Sequence, residues 1–301
     1  MKTFKSDFIL LIVASIWGFA FVAQRMGMEY VGPYTFNGIR FALGGLSLMP
    51  FIIVGRKQRE IKKTSYPTPG WKEVIKGGML SGIVLFAGAS LQQVGMVYTT
   101  AGKSGFITGL YVVLVPILGL FRKQNAGAGT WIGALMAVFG LYLLSVTRNM
   151  TISFGDLLEF IGAFCFALHV IIIGELSKKL DTVRLAFVQC TLCSFLSIAT
   201  AFVLEKITIN GIWLAAFPII YGGVFSVGIA YSLQIYGQKD SHPAHAAILM
   251  SLESVVAALG GWLILNEILS SRALTGCMLM LAGMLTSQLY SYIIPKKNTD
   301  T

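Results

Sequence analysis

The stretch AHAAILMSLESVVAALGGWLILNE, residues 244–267, consists mainly of small and branched apolar residues. It is longer than the roughly 20 apolar residues that a helix needs to cross a bilayer. Glu253 lies about ten residues into it, at a depth where an ionised carboxylate is costly. The stretch therefore predicts a membrane helix, and it raises the question of what a carboxyl group does there.

The composition of the whole chain favours the same environment. Of its 301 residues, 55% are hydrophobic and 12% are charged, whereas soluble domains carry about 25% charged residues. We attribute the net charge of +10 to lysines and arginines in cytoplasmic loops, not to nucleic-acid binding. The sequence therefore predicts an all-α membrane protein that has the lipid bilayer as a partner and does not bind nucleic acid.

Ten apolar spans are predicted along the chain, so both termini lie on one side of the membrane. The loops on that side carry 17 of the 23 lysines and arginines, the opposite loops carry 5, and Arg40 lies inside a span. Because basic loops favour the cytoplasm, both termini are predicted to be cytoplasmic. The predicted spans are 8–24, 35–54, 74–96, 103–121, 129–147, 155–176, 184–204, 213–237, 243–265 and 273–294.

The two halves of the chain resemble each other weakly but in order. An offset of 149 places the segment AFCFALH near residue 163 on ASIWGFA near residue 14. An offset of 142 places Gln234 on Gln92 and Glu253 on Tyr111. Internal similarity of this kind predicts a duplicated structural unit.

The predicted units are two five-helix repeats, 1–148 and 149–301. Because each repeat has an odd number of spans, the second must enter the membrane from the opposite face. Inverted-topology repeats are typical of secondary transporters, which bind their substrate near the midplane where the halves meet. An enzyme or a receptor has no particular need of this arrangement.

Four motifs are distributed over both halves. They are IWGFAFV at 16–22, NGIRFALGG at 37–45, YTTAGKSGFITGLYVVLVP at 98–116, and AAILMSLES followed by GWLILNE within 246–267. Together they resemble the drug/metabolite transporter superfamily, in particular its EamA-type ten-helix members, over essentially the whole chain. The resemblance implies a central cavity lined by helices of both halves, with the last helix of each half at the periphery. Ser254 departs from the family pattern, which usually has proline there, and this weakens the expectation of a kink.

Embedded charged and polar residues are the candidates for a transport pathway, because such groups often mark one. Glu253 is predicted to contact substrate or carry a proton, and its alternative role is to lock two helices together. Arg40 is predicted to bind a substrate carboxylate or phosphate, or else to snorkel to the interface. His245 is a second candidate for proton coupling, or else a solvated interfacial histidine. The other cavity candidates are Trp17, Gln92, Tyr98, Thr108, Tyr111, His169, Tyr231 and Gln234.

The leading hypothesis is a secondary transporter of small organic metabolites in a bacterial-type inner membrane, working by alternating access. The family resemblance implies export of amino acids or related compounds. The sequence has no G-x-x-x-x-G-K-[ST] loop, so ATP drive within this chain is not expected, and no cofactor or metal is predicted. The alternatives are a lipid flippase and an intramembrane enzyme, for which a nucleophile–base pair is missing. A second copy of the chain is a candidate partner.

Overall fold

A computed structural model describes residues 2–62, 70–121, 127–145, 154–268 and 270–293. These ranges are helical, and they contain no strand. The predicted repeat boundary at 148 and 149 lies outside them. The helices are α1 (Lys2–Gly27), α2 (Pro33–Lys62), α3 (Trp71–Gly95), α4 (Ala101–Gly109), α5 (Tyr111–Phe121), α6 (Ala128–Ser145), α7 (Phe154–Leu176), α8 (Thr182–Leu204), α9 (Ile209–Leu214), α10 (Ala216–Ile220), α11 (Tyr231–Gln238), α12 (Pro243–Met250), α13 (Glu253–Leu265) and α14 (Ser271–Ile293).

Eight helical segments within the described ranges are long and apolar enough to cross a membrane. They coincide with predicted spans one to four and six to nine. Spans five and ten coincide with α6 and α14, whose apolar parts among the described residues are shorter, Ala128–Gly140 and Leu274–Ser287. The prediction of an all-α membrane fold built from ten helices is therefore confirmed.

Consecutive spans alternate in direction, which defines two ends of the bundle. We call the end where α1 and α12 begin the near end, and the end where α4 and α7 begin the far end. Residues Tyr221–Ala230 connect α10 to α11 as a π-helical segment, so these three pieces form one span, Ala216–Gln238.

The fourth and ninth spans are each interrupted once, at corresponding positions. In the fourth span α4 ends at Gly109 and α5 begins at Tyr111. In the ninth, α12 ends at Met250 and α13 begins at Glu253. The offset of 142 that relates Tyr111 to Glu253 therefore also relates the two interruptions.

The interruption at Glu253 forms without proline. The Leu252 N–H donates to the Leu249 carbonyl oxygen at 3.3 Å, and the Ser254 N–H donates to that of Ser251 at 3.1 Å. These bonds join residues three apart, so the helix tightens locally to a 3₁₀ turn. The sequence has Ser254 where proline would favour a kink. The backbone nevertheless changes from α-helical to 3₁₀ hydrogen bonding at this point.

The two halves exchange equivalent contacts. Helix α3 packs against α7 and α8 of the second half. In return, the span from α10 to α11 packs against α1 and α2 of the first half. The third span of each half thus covers the first two spans of the other half, and this arrangement surrounds a central region.

The last helices of the halves, α6 and α14, pack closely through glycines. A Cβ atom added to Gly133 would lie 2.6 Å from the carbonyl oxygen of Gly283. One added to Gly140 would lie 2.6 Å from the carbonyl oxygen of Gly276. Small residues allow membrane helices to approach this closely, and van der Waals packing then holds them together.

We expect Gly140→Ala to destabilise the protein, because its methyl group would collide with the Gly276 backbone. Overpacking of this kind typically costs about 1–3 kcal/mol. The matched control is Gly127→Ala at the start of α6, where an added Cβ meets nothing within 4 Å. Thermal unfolding of the detergent-solubilised variants measures the difference. Equal melting temperatures for the two variants would contradict this account of the packing.

Candidate functional site

A cavity lies between the two halves. It contains nine of the residues predicted from the sequence: Trp17, Arg40, Gln92, Thr108, Tyr111, His169, Tyr231, Gln234 and Glu253. The side chains that the prediction did not include are Ala20, Phe21, Gln24, Phe166, Val170, Ser226 and Met250. Most of these are apolar, and an apolar residue inside a membrane helix gives no sequence signal that it faces a cavity.

Most of the lining residues form pairs related by the sequence offsets of 149 and 142. The six pairs are Trp17 and Phe166, Ala20 and His169, Phe21 and Val170, Gln92 and Gln234, Thr108 and Met250, and Tyr111 and Glu253. Corresponding surfaces of the two halves therefore meet at this cavity. The paired side chains mostly differ in chemistry, so the cavity has approximate symmetry of shape but not of charge.

Tyr231 is the centre of an aromatic wall. Its ring centroid lies 5.0 Å from that of Trp17 and 6.0 Å from those of Phe41 and His169. The Trp17 indole is fixed in place because its Nε1 donates to the Ser226 carbonyl oxygen at 3.1 Å. Aromatic rings in such tilted and edge-on contacts provide a rigid apolar surface.

Arg40 is buried, with 3% of its surface exposed, so it does not snorkel to the interface. Its guanidinium carbon lies 5.5 Å from the Phe36 ring centroid and 5.1 Å from that of Phe41. Cation–π attraction offsets part of the cost of burying the charge. No carboxylate among the described residues pairs with it, and its Nε has no hydrogen-bond partner there. The group is therefore free to bind an anionic ligand.

The second half has Gln189 at the position that corresponds to Arg40. Its Oε1 lies 3.1 Å from the His169 Nε2, and both side chains are buried. The two side chains lie within hydrogen-bonding distance, and the tautomer of His169 determines which of them donates. At the position that corresponds to Arg40, the second half therefore has a neutral side chain, Gln189, which pairs with His169.

Glu253 begins α13 and has 3% of its surface exposed. Its carboxyl group lies beside the Tyr111 hydroxyl, and no basic side chain among the described residues pairs with it. The neighbouring Ser254 hydroxyl donates to the Gly105 carbonyl oxygen and so ties α13 to α4. The Glu253 carboxyl group, which contacts Tyr111, lines the cavity.

A second buried carboxyl group, that of Glu159 on α7, is absent from the candidates named from the sequence. It accepts hydrogen bonds from the Ser104 hydroxyl at 2.6 Å and from the Thr108 hydroxyl at 3.3 Å. The Gln92 amide in turn donates to the Thr108 oxygen at 2.9 Å. This chain of bonds joins Glu159 to the cavity wall. Its position inside predicted span 155–176 was a usable signal, since acidic residues are rare there.

Two predicted site residues lie away from the cavity. Tyr98 is 59% exposed, and its ring meets Phe154 edge-on at 6.3 Å. The prediction that Tyr98 lines the cavity is wrong because α3 ends before this residue, and the 3₁₀ turn that follows carries its side chain outward. His245 lies at the near end, where its Nε2 is 3.0 Å from an Asp7 oxygen and its Nδ1 is 3.3 Å from the Ser287 hydroxyl.

Known proteins match this chain over nearly its whole length. The profile of the EamA-like transporter family matches residues 4–146 and 153–287. An uncharacterized transporter of Archaeoglobus fulgidus is 31% identical over 292 residues, which cover 95% of this chain and 86% of that protein. The uncharacterized inner membrane transporter YedA of Escherichia coli K12 is 22% identical, with 94% and 90% covered.

A solved structure titled "Crystal structure of protein" has the same fold. Its TM-score is 0.74 at 18% sequence identity, and the alignment covers 97% of this chain and 99% of that chain. At this level of identity the likeness is one of fold alone.

We expect Glu159→Leu to destabilise the protein, because the buried hydroxyls of Ser104 and Thr108 lose their acceptor. An unsatisfied buried polar group costs about 1–3 kcal/mol. Glu159→Gln is the matched control, since its amide oxygen still accepts a hydrogen bond, and its effect should be clearly smaller. The melting temperatures of both variants test this. If the leucine variant is as stable as the parent, the hydrogen bonds to Glu159 do not contribute to stability.

Proposed function

The chain belongs to the EamA-like transporter family, and from this premise we propose that it is a secondary transporter that exports small organic metabolites such as amino acids. Its mechanism would be alternating access around the central cavity. The observation that carries the proposal is that one basic and one acidic side chain, Arg40 and Glu253, line the same cavity, and among the described residues neither forms an ion pair. Both are buried in the interior of a membrane protein, where an unused charge is costly.

The two groups complement a zwitterion. The Arg40 guanidinium offers a planar fork of donors to a carboxylate, and the Glu253 carboxylate offers acceptors to an ammonium group. Gln92 and Gln234 add neutral hydrogen-bonding groups, and the aromatic wall around Tyr231 offers an apolar surface to a side chain. An amino acid has all three kinds of group, which is why we favour this class of substrate.

The deep burial of the polar residues that line the cavity supports a small substrate over a lipid. Arg40, Gln234 and Glu253 are each no more than 3% exposed. A lipid flippase needs a lateral opening through which the acyl chains remain in the bilayer. Polar side chains this deeply buried favour a ligand whose polar groups enter the bundle between the two halves.

We further propose a bacterial inner membrane as the location, with both termini in the cytoplasm. The similarity to YedA, an inner membrane transporter, supports the location. The distribution of basic residues supports the orientation. Coupling to the proton gradient would use Glu253, and His245 is the second candidate. A carboxyl group in a transport pathway is a common proton carrier.

Reconstitution into liposomes followed by a counterflow screen over amino acids, purines, sugars and cationic drugs tests the substrate class. We expect exchange of an amino acid, and we expect Arg40→Gln to reduce it about tenfold or more, because charge-assisted hydrogen bonds contribute about 1.5–3 kcal/mol. Arg272→Gln, outside the cavity, is the matched control. Exchange of cationic drugs but of no amino acid would contradict the proposal.

The proton role is tested by Glu253→Gln, which keeps the shape of the side chain but cannot ionise. We expect an imposed pH gradient to accelerate transport by the parent and by the exposed control Glu73→Gln, but not by Glu253→Gln. Uptake into liposomes with and without the gradient measures this. A gradient response of Glu253→Gln equal to that of the parent would exclude Glu253 as the proton carrier.

A further inference from the structure

Two ion pairs join the halves at opposite ends of the cavity. At the far end, the Lys103 Nζ lies 2.7 Å from an Asp156 carboxylate oxygen. At the near end, the His245 Nε2 lies 3.0 Å from an Asp7 carboxylate oxygen. In each pair the acid lies near the start of the first span of one half, and the base lies in the fourth span of the other half.

The two ion pairs occupy corresponding positions in the two halves. The offset of 149 that relates Trp17 to Phe166 in the cavity also relates Asp7 to Asp156. The offset of 142 that relates the other paired lining residues also relates Lys103 to His245. The same approximate symmetry that builds the cavity therefore places one ion pair at each of its ends.

We propose that Lys103–Asp156 and His245–Asp7 are the two gates of the transport cycle. Alternating access requires one end of the pathway to open while the other stays closed. Each gate would hold the start of α7 or α1 against the start of α4 or α12. In each half of the cycle, one ion pair would break to open its end of the pathway while the other pair keeps the opposite end closed. This inference rests on the proposed alternating-access function and adds to it the residues that control entry at each end.

The far gate is reinforced by neighbouring contacts in this structure. Ser104, next to Lys103, donates to Glu159, which lies one turn along α7 from Asp156. The backbone N–H groups of Ala101 and Gly102 also donate to the Glu267 carboxylate, at 3.2 and 3.4 Å. Separation of α4 from α7 at the far end would break the Ser104–Glu159 bond together with the ion pair, whereas the bonds to Glu267 hold the start of α4 against the end of the ninth span.

The two gates differ in their base. It is Lys103 at the far end, where 36% of the side chain is exposed, and His245 at the near end, where 16% is exposed. The base of the near gate is thus more deeply buried than that of the far gate.

The surroundings of His245 fit this assignment. Among the described residues, Asp7 of α1 and Ser287 of α14 contact its ring. His242 lies nearby, and its pKa is lowered by burial and by the positive charges of Lys178 and His245. A neutral His242 suits its observed role, since its Nδ1 accepts a hydrogen bond from the Ala244 N–H. His245 is thus the histidine at this gate that contacts the acid.

Hydrogen–deuterium exchange of the full chain in lipid nanodiscs tests the gates without any substrate. Variants are compared with the parent at the same pH, so intrinsic exchange rates cancel. Lys103→Gln, which removes the base of the far pair, should accelerate exchange at the starts of α4 and α7. His245→Leu, which removes the base of the near pair, should accelerate it at the starts of α1 and α12. The expected change is about twofold to fivefold, as for a partly exposed ion pair.

A further variant separates a gate from a merely local ion pair. Asp7→Asn should accelerate exchange at the near end and slow it at the far end, because the two ends open alternately. Lys103→Arg, which keeps the charge, is the control and should leave both ends unchanged. An unchanged far end in Asp7→Asn, or a Lys103→Gln variant that behaves like Lys103→Arg, would overturn the proposal. Neither result depends on the counterflow screen.

Discussion

The structure depends on one constraint, which is that a charged side chain inside a bilayer needs water, a partner or a ligand. Arg40 and Glu253 are buried among membrane helices, and neither has an oppositely charged partner among the described residues. The fold places both at the interface between its halves, where they face a shared cavity instead of lipid. Helices alone can bring them there, because a helix satisfies its own backbone and leaves the side chains to determine which face turns inward.

Duplication explains why the cavity exists, and divergence explains its polarity. Corresponding faces of the halves meet, so six pairs of equivalent residues line the same space. Where the second half has the carboxyl group of Glu253, the first has the phenol of Tyr111. Where the first half has Arg40, the second has Gln189, which is occupied by His169. One basic and one acidic side chain thus line the cavity, at positions where the other half has Gln189 and Tyr111.

Hydropathy predicted the helices well because the bilayer imposes a length and a composition on every span. It located Arg40 and Glu253 because a charge in such a span is conspicuous. The assignment of Tyr98 to the cavity was wrong, since a 3₁₀ turn after α3 carries its ring outward to meet Phe154. Lining residues such as Phe166 and Met250 could not be named, because an apolar side chain suits lipid, a helix interface and a cavity equally well.

The interruptions in the fourth and ninth spans connect the cavity to its ends. Lys103 lies on α4 and Tyr111 begins α5, so the interruption separates a gate residue from a cavity residue. His245 on α12 and Glu253 at the start of α13 are separated in the same way. Short segments at a change of helical geometry can absorb a rotation that a continuous helix would resist. A movement of either gate can therefore proceed while the cavity group beyond the interruption stays in position, and alternating access requires that independence.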